Sequence, residues 1–507
     1  MRFSSSTAAL ALAAGALGTP AAADLTAQEV WNDMRSYLSS FGYEVTATDA
    51  MSGDTLSVRD VTMRLPLPED GGTVALELPQ ISFTENEDGT VSVAYPETSE
   101  MRVEARPPDA EAVDMTLAVM HRDLEVLVSG DDSRMTYDYT ASELGLSLAE
   151  LVVEGESLDS DKVSVDVTAS GMAGQSVVTP GELRDLEQRV TVAEVSYDVN
   201  TPAMEGERGS AAFDGALRAL TFEGTARIPQ DMDMQDMSAA FAAGYAFDGQ
   251  IGYTGGNTDF TFEEDGQTVT GSTSSDRSRF RAAMDADRLT YAGSGAGTQI
   301  NVEGSDLPFP IETAIGETAF DFSAPVGTTE DPEPFNLLVE LRDFTMGEQI
   351  WAMFDPGQML PREPASIVMD IAGMARVLGD VFDPQAMQRM AMNEDVPAEL
   401  HALDLSQFLV SMLGAELTGQ GAFTFDNSDR ATFDGMPRPE GTLSLRLEGA
   451  EALLDTLMQM GLLPQEQAMG ARMMMGMFAV PAGPDTLEST IEINEQGQVL
   501  ANGQRIQ

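Results

Sequence analysis

The side chains able to do chemistry are few in kind. Carboxylates abound, but His121 and His401 are the only histidines, Lys162 is the only lysine, and cysteine is absent. His121 lies in Val119-Met120-His121-Arg122-Asp123, a strand-like setting, and His401 follows Glu399-Leu400 near a loop. A Ser-His-Asp triad needs an imidazole held between nucleophile and acid, and no G-x-S-x-G elbow presents a nucleophile. Both histidines are therefore read as surface or satisfied residues, with no catalytic residue assigned. Lys162 follows Asp161 in a predicted turn, outside any S-x-x-K motif, and is read as solvated. A glycosidase-like hydrolase needs only two carboxylates, so it stands as an alternative. Such enzymes usually stack sugars on aromatic rings, whereas Trp31 and Trp351 both fall on predicted helices with core partners.

Oxygen and sulfur donors supply the metal readings. Acidic tips at 85–88 and 426–434 could offer ligands to calcium, but neither follows the D-x-[DN]-x-[DN]-G spacing, and turns are acidic for their own reasons. Met232, Met234 and Met237 have a thioether spacing suited to Cu(I), a soft ion. Met234 and Met237 also share a helical face with Phe241 and Gly244. Methionine fills irregular apolar gaps, so packing is preferred over copper and no metal or cofactor is assigned. Residues 293–297, Gly-Ser-Gly-Ala-Gly, have the glycines of a phosphate loop without its lysine or its strand-to-helix context, and are predicted to be a flexible turn.

Composition narrows the classes further. The chain has 507 residues, 27 basic and 84 acidic, for a formal charge of −57. No disulfide, thiolate site or lipid-modified cysteine can form, and two histidines cannot make a three-His zinc site. Nucleic acid is not an expected partner, because affinity there comes from Lys and Arg neutralising phosphates. The acidic excess reads as a solubility adaptation that also repels anionic membranes.

The N-terminus has the layout of a secretory signal peptide: Arg2, an apolar stretch at 8–17, Pro20, then Ala21-Ala22-Ala23. Cleavage is expected after Ala23, giving a periplasmic protein that starts at Asp24. The apolar stretch is far short of the ~20 residues that span a bilayer, and no later segment is long enough to do so.

Downstream, the elements can be placed from periodicity. Thr26 and Glu29 form a capping box, with Val30, Met34, Leu38 and Phe41 at helical spacing and Gly42 as the stop. From residue 43 the period falls to two, and strands are expected over 55–65, 74–84, 91–95, 115–128 and 135–139, then on through the chain. Three acidic-tipped hairpins share a pattern at 83–89, 260–266 and 493–497. Helices are expected at 179–188 (Thr179-Pro180-Gly181-Glu182 as capping box), 232–244, 345–354 (capped by Thr345-Met346-Gly347-Glu348), 383–392, 450–460 and 465–478. A last hairpin, over 486–506, should turn at Gln496-Gly497. The acidic, Pro-rich run Gly327-Thr328-Thr329-Glu330-Asp331-Pro332-Glu333-Pro334 is the candidate boundary between lobes 24–326 and 327–507.

The last third carries a family likeness. Gly414-Ala415-Glu416-Leu417-Thr418-Gly419-Gln420-Gly421-Ala422-Phe423-Thr424-Phe425-Asp426, then Glu440-Gly441-Thr442-Leu443-Ser444-Leu445, the helices within 450–478 and Ala501-Asn502-Gly503-Gln504-Arg505 resemble a family of exported Gram-negative proteins defined only as a domain of unknown function. More distantly the pattern is similar to AsmA-like envelope proteins. The resemblance implies a cell-envelope location and a β-rich body, and brings no catalytic residues.

The fold expected is α+β, predominantly antiparallel β, with extended curved sheets and a few helices packed on them. The function expected is non-catalytic. A Met-rich helical hairpin at 450–478 is expected to line an apolar groove with Leu453, Leu457, Met460, Met469, Met473, Met477 and Phe478. That groove would take a lipid or an envelope protein.

Overall fold

The computed structural model describes residues 25–66, 73–106, 112–158, 163–202, 209–230, 232, 236–393 and 396–506. The predicted signal peptide and Lys162 lie outside these residues. Helix α1 (Ala27–Ser40) leads into β1 (Glu44–Ser52) and β2 (Thr55–Pro66). Short strands follow: β3 (Thr73–Leu78), β4 (Ile81–Glu85), β5 (Val91–Ala94), β6 (Thr98–Arg106), β7 (Val113–Arg122) and β8 (Glu125–Asp131). Longer ones then take over: β9 (Arg134–Val153), the two-residue β10 (Glu156–Ser157), β11 (Ser164–Thr179), β12 (Leu183–Pro202) and β13 (Gly209–Pro229). After α2 (Met237–Ala242) come β14 (Ala246–Glu264), β15 (Gln267–Met284), β16 (Arg288–Gly304), β17 (Ile311–Pro325) and β18 (Glu333–Met346). Helix α3 (Glu348–Phe354), β19 (Ala365–Val377), α4 (Pro384–Met392), β20 (Ala398–Met412), β21 (Ala415–Asp426) and β22 (Arg438–Glu448) continue the chain. It closes with α5 (Ala450–Gln459), α6 (Gln465–Phe478), β23 (Val480–Gly483), β24 (Thr486–Ile493), β25 (Val499–Ala501) and β26 (Gln504–Arg505).

Among the described residues the 26 strands form one antiparallel sheet, so the expected fold class holds, with a single sheet in place of several. From β11 to β22 each strand pairs with the next in sequence. Tight turns make this meander cheap to close. Asp265-Gly266 and Leu413-Gly414 within it, and Glu154-Gly155 and Asn502-Gly503 outside it, each put two successive residues at positive φ, as two-residue hairpins that match strand twist require. Residues 327–334 join β17 to β18, and these strands pair from Thr313↔Met346 to Ser323↔Asn336, so the ladder runs on across that connection. Among the described residues no ladder joins β1 to β26, and the sheet is open.

At its N-terminal end the sheet splits into two tracks. Thr55 to Val58 of β2 pair with β4, while the residues from Val61 onward pair with β3; Asp60, at φ 53, turns the strand between them. The tracks β4–β5–β8 and β3–β6–β7 rejoin on the two halves of β9. Helix α1 covers the first track. Its capping box is formed, with the Glu29 carboxylate accepting from the Thr26 N–H at 2.8 Å and the Glu29 N–H donating to Thr26 Oγ1 at 3.3 Å. Val30 and Trp31 bury against Val58, Phe83, Val91, Val128 and Met135 in a compact core. Each such side chain contributes about 1.5–3 kcal/mol by burial.

Several expectations are corrected here. Residues 179–188 form no helix: β12 runs from Leu183, paired from Leu183↔Pro229 with β13 and from Asp185↔Thr179 with β11. Two flanking ladders outweigh a local capping signal, since short helices gain little without tertiary packing. Residues 293–297 are not a turn but the middle of β16. The expected strand 74–84 is two strands, and 115–128 likewise. Thr345 stays in β18, and α3 starts from Gly347. The C-terminal 486–506 makes two turns, since β25 and β26 form a second small hairpin. Among the described residues no helix is long and apolar enough to cross a membrane.

Candidate functional site

Period-two alternation gives each strand an apolar and a polar face, and register decides whether those faces align. Here they do. Tyr139, Gly174, Val190, Phe222, Ile251 and Phe280 stand side by side on β9 and β11–β15. Gly293, Phe320, Val339, Met369, Phe408, Gly419, Leu445 and Ser489 continue the row on β16–β22 and β24. No member of the row is charged. Thirteen inter-strand steps of about 4.8 Å make it roughly 60 Å long.

A neighbouring row repeats the pattern. Gly249, Ala282, Tyr291, Phe322, Leu337 and Ile371 follow one another from β14 to β19. A third is anchored by Leu186, Ala226, Phe247, Met284 and Leu289. The opposite face is polar, where Arg189 meets Glu223 at 2.9 Å, Arg281 meets Asp248 at 2.8 Å and Arg218 meets Glu194 at 3.0 Å. The Arg281 hydrogen bonds hold the Asp248 carboxyl below its ordinary range.

Together these rows make one apolar lane, and it is floored by rings lying on glycines. Tyr139 covers Gly174, Tyr197 covers Gly215, Phe260 covers Gly271, Phe320 covers Gly293 and Phe335 covers Gly373; in each pair a Cβ on the glycine would collide with the ring. This cross-strand arrangement fills the gap that a glycine leaves in a sheet and keeps the face low and continuous.

A line of backbone irregularities crosses the strands and keeps the lane on one side. Gly171, Ala219, Gly255, Gly297 and Asp343 all have positive φ, between 47° and 86°. The β11–β12, β12–β13, β14–β15 and β16–β17 ladders each skip a pair on this line and resume in the same register. Side-chain alternation inverts there. On β13 the inward residues are Phe213, Gly215 and Leu217 before it and Leu220, Phe222 and Gly224 after it; on β12 Val190 and Val192 give way to Val195 and Tyr197. Without the inversion, half of each strand would turn its apolar residues to the polar face.

Nothing described covers the middle of the lane: Ile251, Phe280, Phe320 and Val339 are 42–43 % exposed. Contiguous apolar surface on this scale is uncommon unless it binds something. A cleft of about 390 Å³ opens there between Phe222, Phe247, Ile251 and Phe280.

Both ends are closed. At the N-terminal end Asp33 of α1 pairs with Arg184 of β12 at 2.6 Å, both buried, and Tyr137 donates to Asp33 at 3.1 Å. Burial, with the Asp33 charge beside it, pushes the Tyr137 hydroxyl well above its ordinary value. At the C-terminal end Ser489 donates to the carbonyl of Phe478 at 2.6 Å, which sets the end of α6 on the lane face of β24.

The structure divides the residues expected to line a groove. Ala468 is fully buried, and Arg472 ties α6 to α5 through Glu451 at 2.7 Å and Asp455 at 2.6 Å. Leu453, Leu457 and Met460 are half-buried, whereas Met469, Met473, Met477 and Phe478 are exposed. Met469, Met473 and Met477 therefore point outward from the hairpin, and the long apolar surface is the sheet, a feature visible in sequence only as repeated alternation.

The remaining candidates fall elsewhere. Met232 is buried and Met237 half-buried at α2, while Met234 lies outside the described residues. His121, on β7, has Nε2 3.2 Å from the Tyr95 carbonyl. His401 stands within β20, at a register shift against β19, with Glu399 at 3.8 Å; that carboxylate is already engaged by Arg376 at 2.5 Å and Arg430 at 3.6 Å. The acidic tips spend their oxygens within their own turns. Asp88 accepts from the Thr90 hydroxyl at 2.6 Å, and Asp426 accepts from Ser428 and Arg438, bonds that hold both carboxyls below their ordinary range.

Residues 256–503, from the second half of β14 to β25, match the family model described as an uncharacterized protein conserved in bacteria (DUF2125). That stretch of the chain is similar to this bacterial family. No curated protein matches.

Proposed function

We propose that the protein is a non-catalytic, periplasmic cell-envelope protein that shelters long acyl chains on the apolar face of its sheet. The uncharged row from Tyr139 to Ser489 carries this reading: its length exceeds that of a single acyl chain, which spans about half of a ~30 Å bilayer core. Each methylene taken from water is worth about 0.8 kcal/mol, so a chain lying on the lane has ample driving force. The signal-peptide layout before Asp24 and the likeness to exported, AsmA-like proteins support the location.

Native mass spectrometry of the protein purified from a periplasmic extract, with lipid extraction and N-terminal sequencing, tests it. The expected result is a mature chain starting at Asp24 with co-purifying acyl lipid. Absence of lipid, together with no binding of the hydrophobic fluorophore 1-N-phenylnaphthylamine, would sink the lane reading.

A further inference from the structure

Resting on the acyl-chain reading, we infer that the lane seats the uncharged ester group of an acyl ester, of the diacylglycerol type, at one place near its middle. Where the inversion line crosses β14–β17, hydroxyls replace hydrocarbon on the lane face. Thr258 and Thr273 pair across β14 and β15, flanked by Gly215 and Ile300. Ser275 stands opposite Gly256, beside Leu217. Ser278 stands between Tyr253 and Gly295, and Thr318 beyond them on β17. The Tyr253 and Ser275 hydroxyls are 3.0 Å apart. These groups line a cleft of about 430 Å³ walled by Leu217, Phe280 and Phe320.

Charge decides which polar group fits. Arg277 and Arg279 also border that cleft, but they alternate with Ser278 and Phe280 and so stand on the opposite face, Arg277 engaged with Glu317 at 3.5 Å; Arg218 lies there too, with Asn257 at 3.1 Å. A phosphate or carboxylate seated among these hydroxyls would have no cation on its own face of the sheet, and desolvating an unpaired anion is costly. An ester carbonyl only accepts, and Ser and Thr hydroxyls can rotate to donate to it. Acyl chains running either way from the ester would then lie on the aromatic floor.

The test uses the full mature chain, stripped of lipid and loaded with 1-N-phenylnaphthylamine. Dioleoylglycerol, its di-ether analogue and dioleoylphosphatidic acid are compared as displacers. The ester should displace the fluorophore at about tenfold lower concentration than the ether, the increment of one or two net hydrogen bonds. The triple variant Thr273→Val, Ser275→Ala, Thr318→Val should keep fluorophore binding and lose that preference. Equal displacement by ester and ether in the native chain, or tighter displacement by phosphatidic acid, overturns the ester assignment and leaves the lane reading intact. If the native chain does not bind the fluorophore, it is the lane reading that fails.

Discussion

The ring of Phe320 lies directly over Gly293 on the neighbouring strand, so that the glycine has no room for a side chain. Gly293→Ala should therefore cost about 1–3 kcal/mol in urea unfolding, the usual range for overpacking. Removing the ring relieves the collision, so Gly293→Ala in a Phe320→Ala background should be nearly free. The non-additivity of the cycle should exceed about 0.5 kcal/mol. Additive losses would mean that ring and glycine do not meet.

The Asp33–Arg184 pair fastens α1 to the long strands. Asp33→Ala leaves a buried guanidinium without its counter-charge, a change that typically costs about 3–5 kcal/mol. Replacing both, as Asp33→Leu with Arg184→Met, should cost clearly less. Denaturant midpoints decide it; equal losses in single and double variants would count against the pair.

Asp355 brings a pH dependence. Its burial opposes ionisation, but the N–H groups of Met359 and Leu360, with Arg362 at 2.6 Å, outweigh it and hold the carboxyl below its ordinary range. A carboxyl depressed on folding adds stability that is fully present above its unfolded value, near pH 3.9, and is lost as pH falls through its folded value. The stability gap between the native chain and Asp355→Asn should be constant above about pH 5 and shrink below about pH 4. Thermal melts across that range would show it; a gap that persists at pH 2.5 would refute the depression.

Ala219 sits in the left-handed region at φ 47. An L side chain there costs about 1–2 kcal/mol, against about 0.5–1 kcal/mol of extra chain entropy for glycine. Ala219→Gly should stabilise the protein by about 0.5–1 kcal/mol, whereas a mid-strand glycine ordinarily destabilises. A lower denaturant midpoint would show that the inversion does not need this backbone conformation.

Two variants separate the sheet from the helices as the binding surface. Phe280→Asp places a charge on the half-exposed lane and should weaken 1-N-phenylnaphthylamine binding at least tenfold. Met469, Met473 and Met477 changed together to Gln should leave binding unchanged and cost at most about 0.5 kcal/mol per site. The reverse pattern would return the groove to the helical hairpin.

Much of this architecture was readable from local pattern. The Thr26/Glu29 box, the Asp383-Pro384 start of α4, the helical pair after Gly449 and the Asp-Gly hairpin tips each depend on residues within a few positions of one another. The 179–188 stretch misled for the same reason: its capping signal is local, and the two ladders that overrule it are not. The cap of α5 was equally hidden, because Asp485, 34 residues downstream of Glu451, accepts from the Glu451 and Ala452 N–H groups.

The amino-acid order alone settled the charge, the missing reactive groups, the strand-rich character and the amphipathic face of each segment. It did not settle whether those faces coincide. A residue's side is set by strand parity, and parity reverses at Gly171, Ala219, Gly255, Gly297 and Asp343, only three of which are glycines. The single apolar lane exists because inter-strand hydrogen bonding brings these inversions into line, a long-range condition that no one strand encodes.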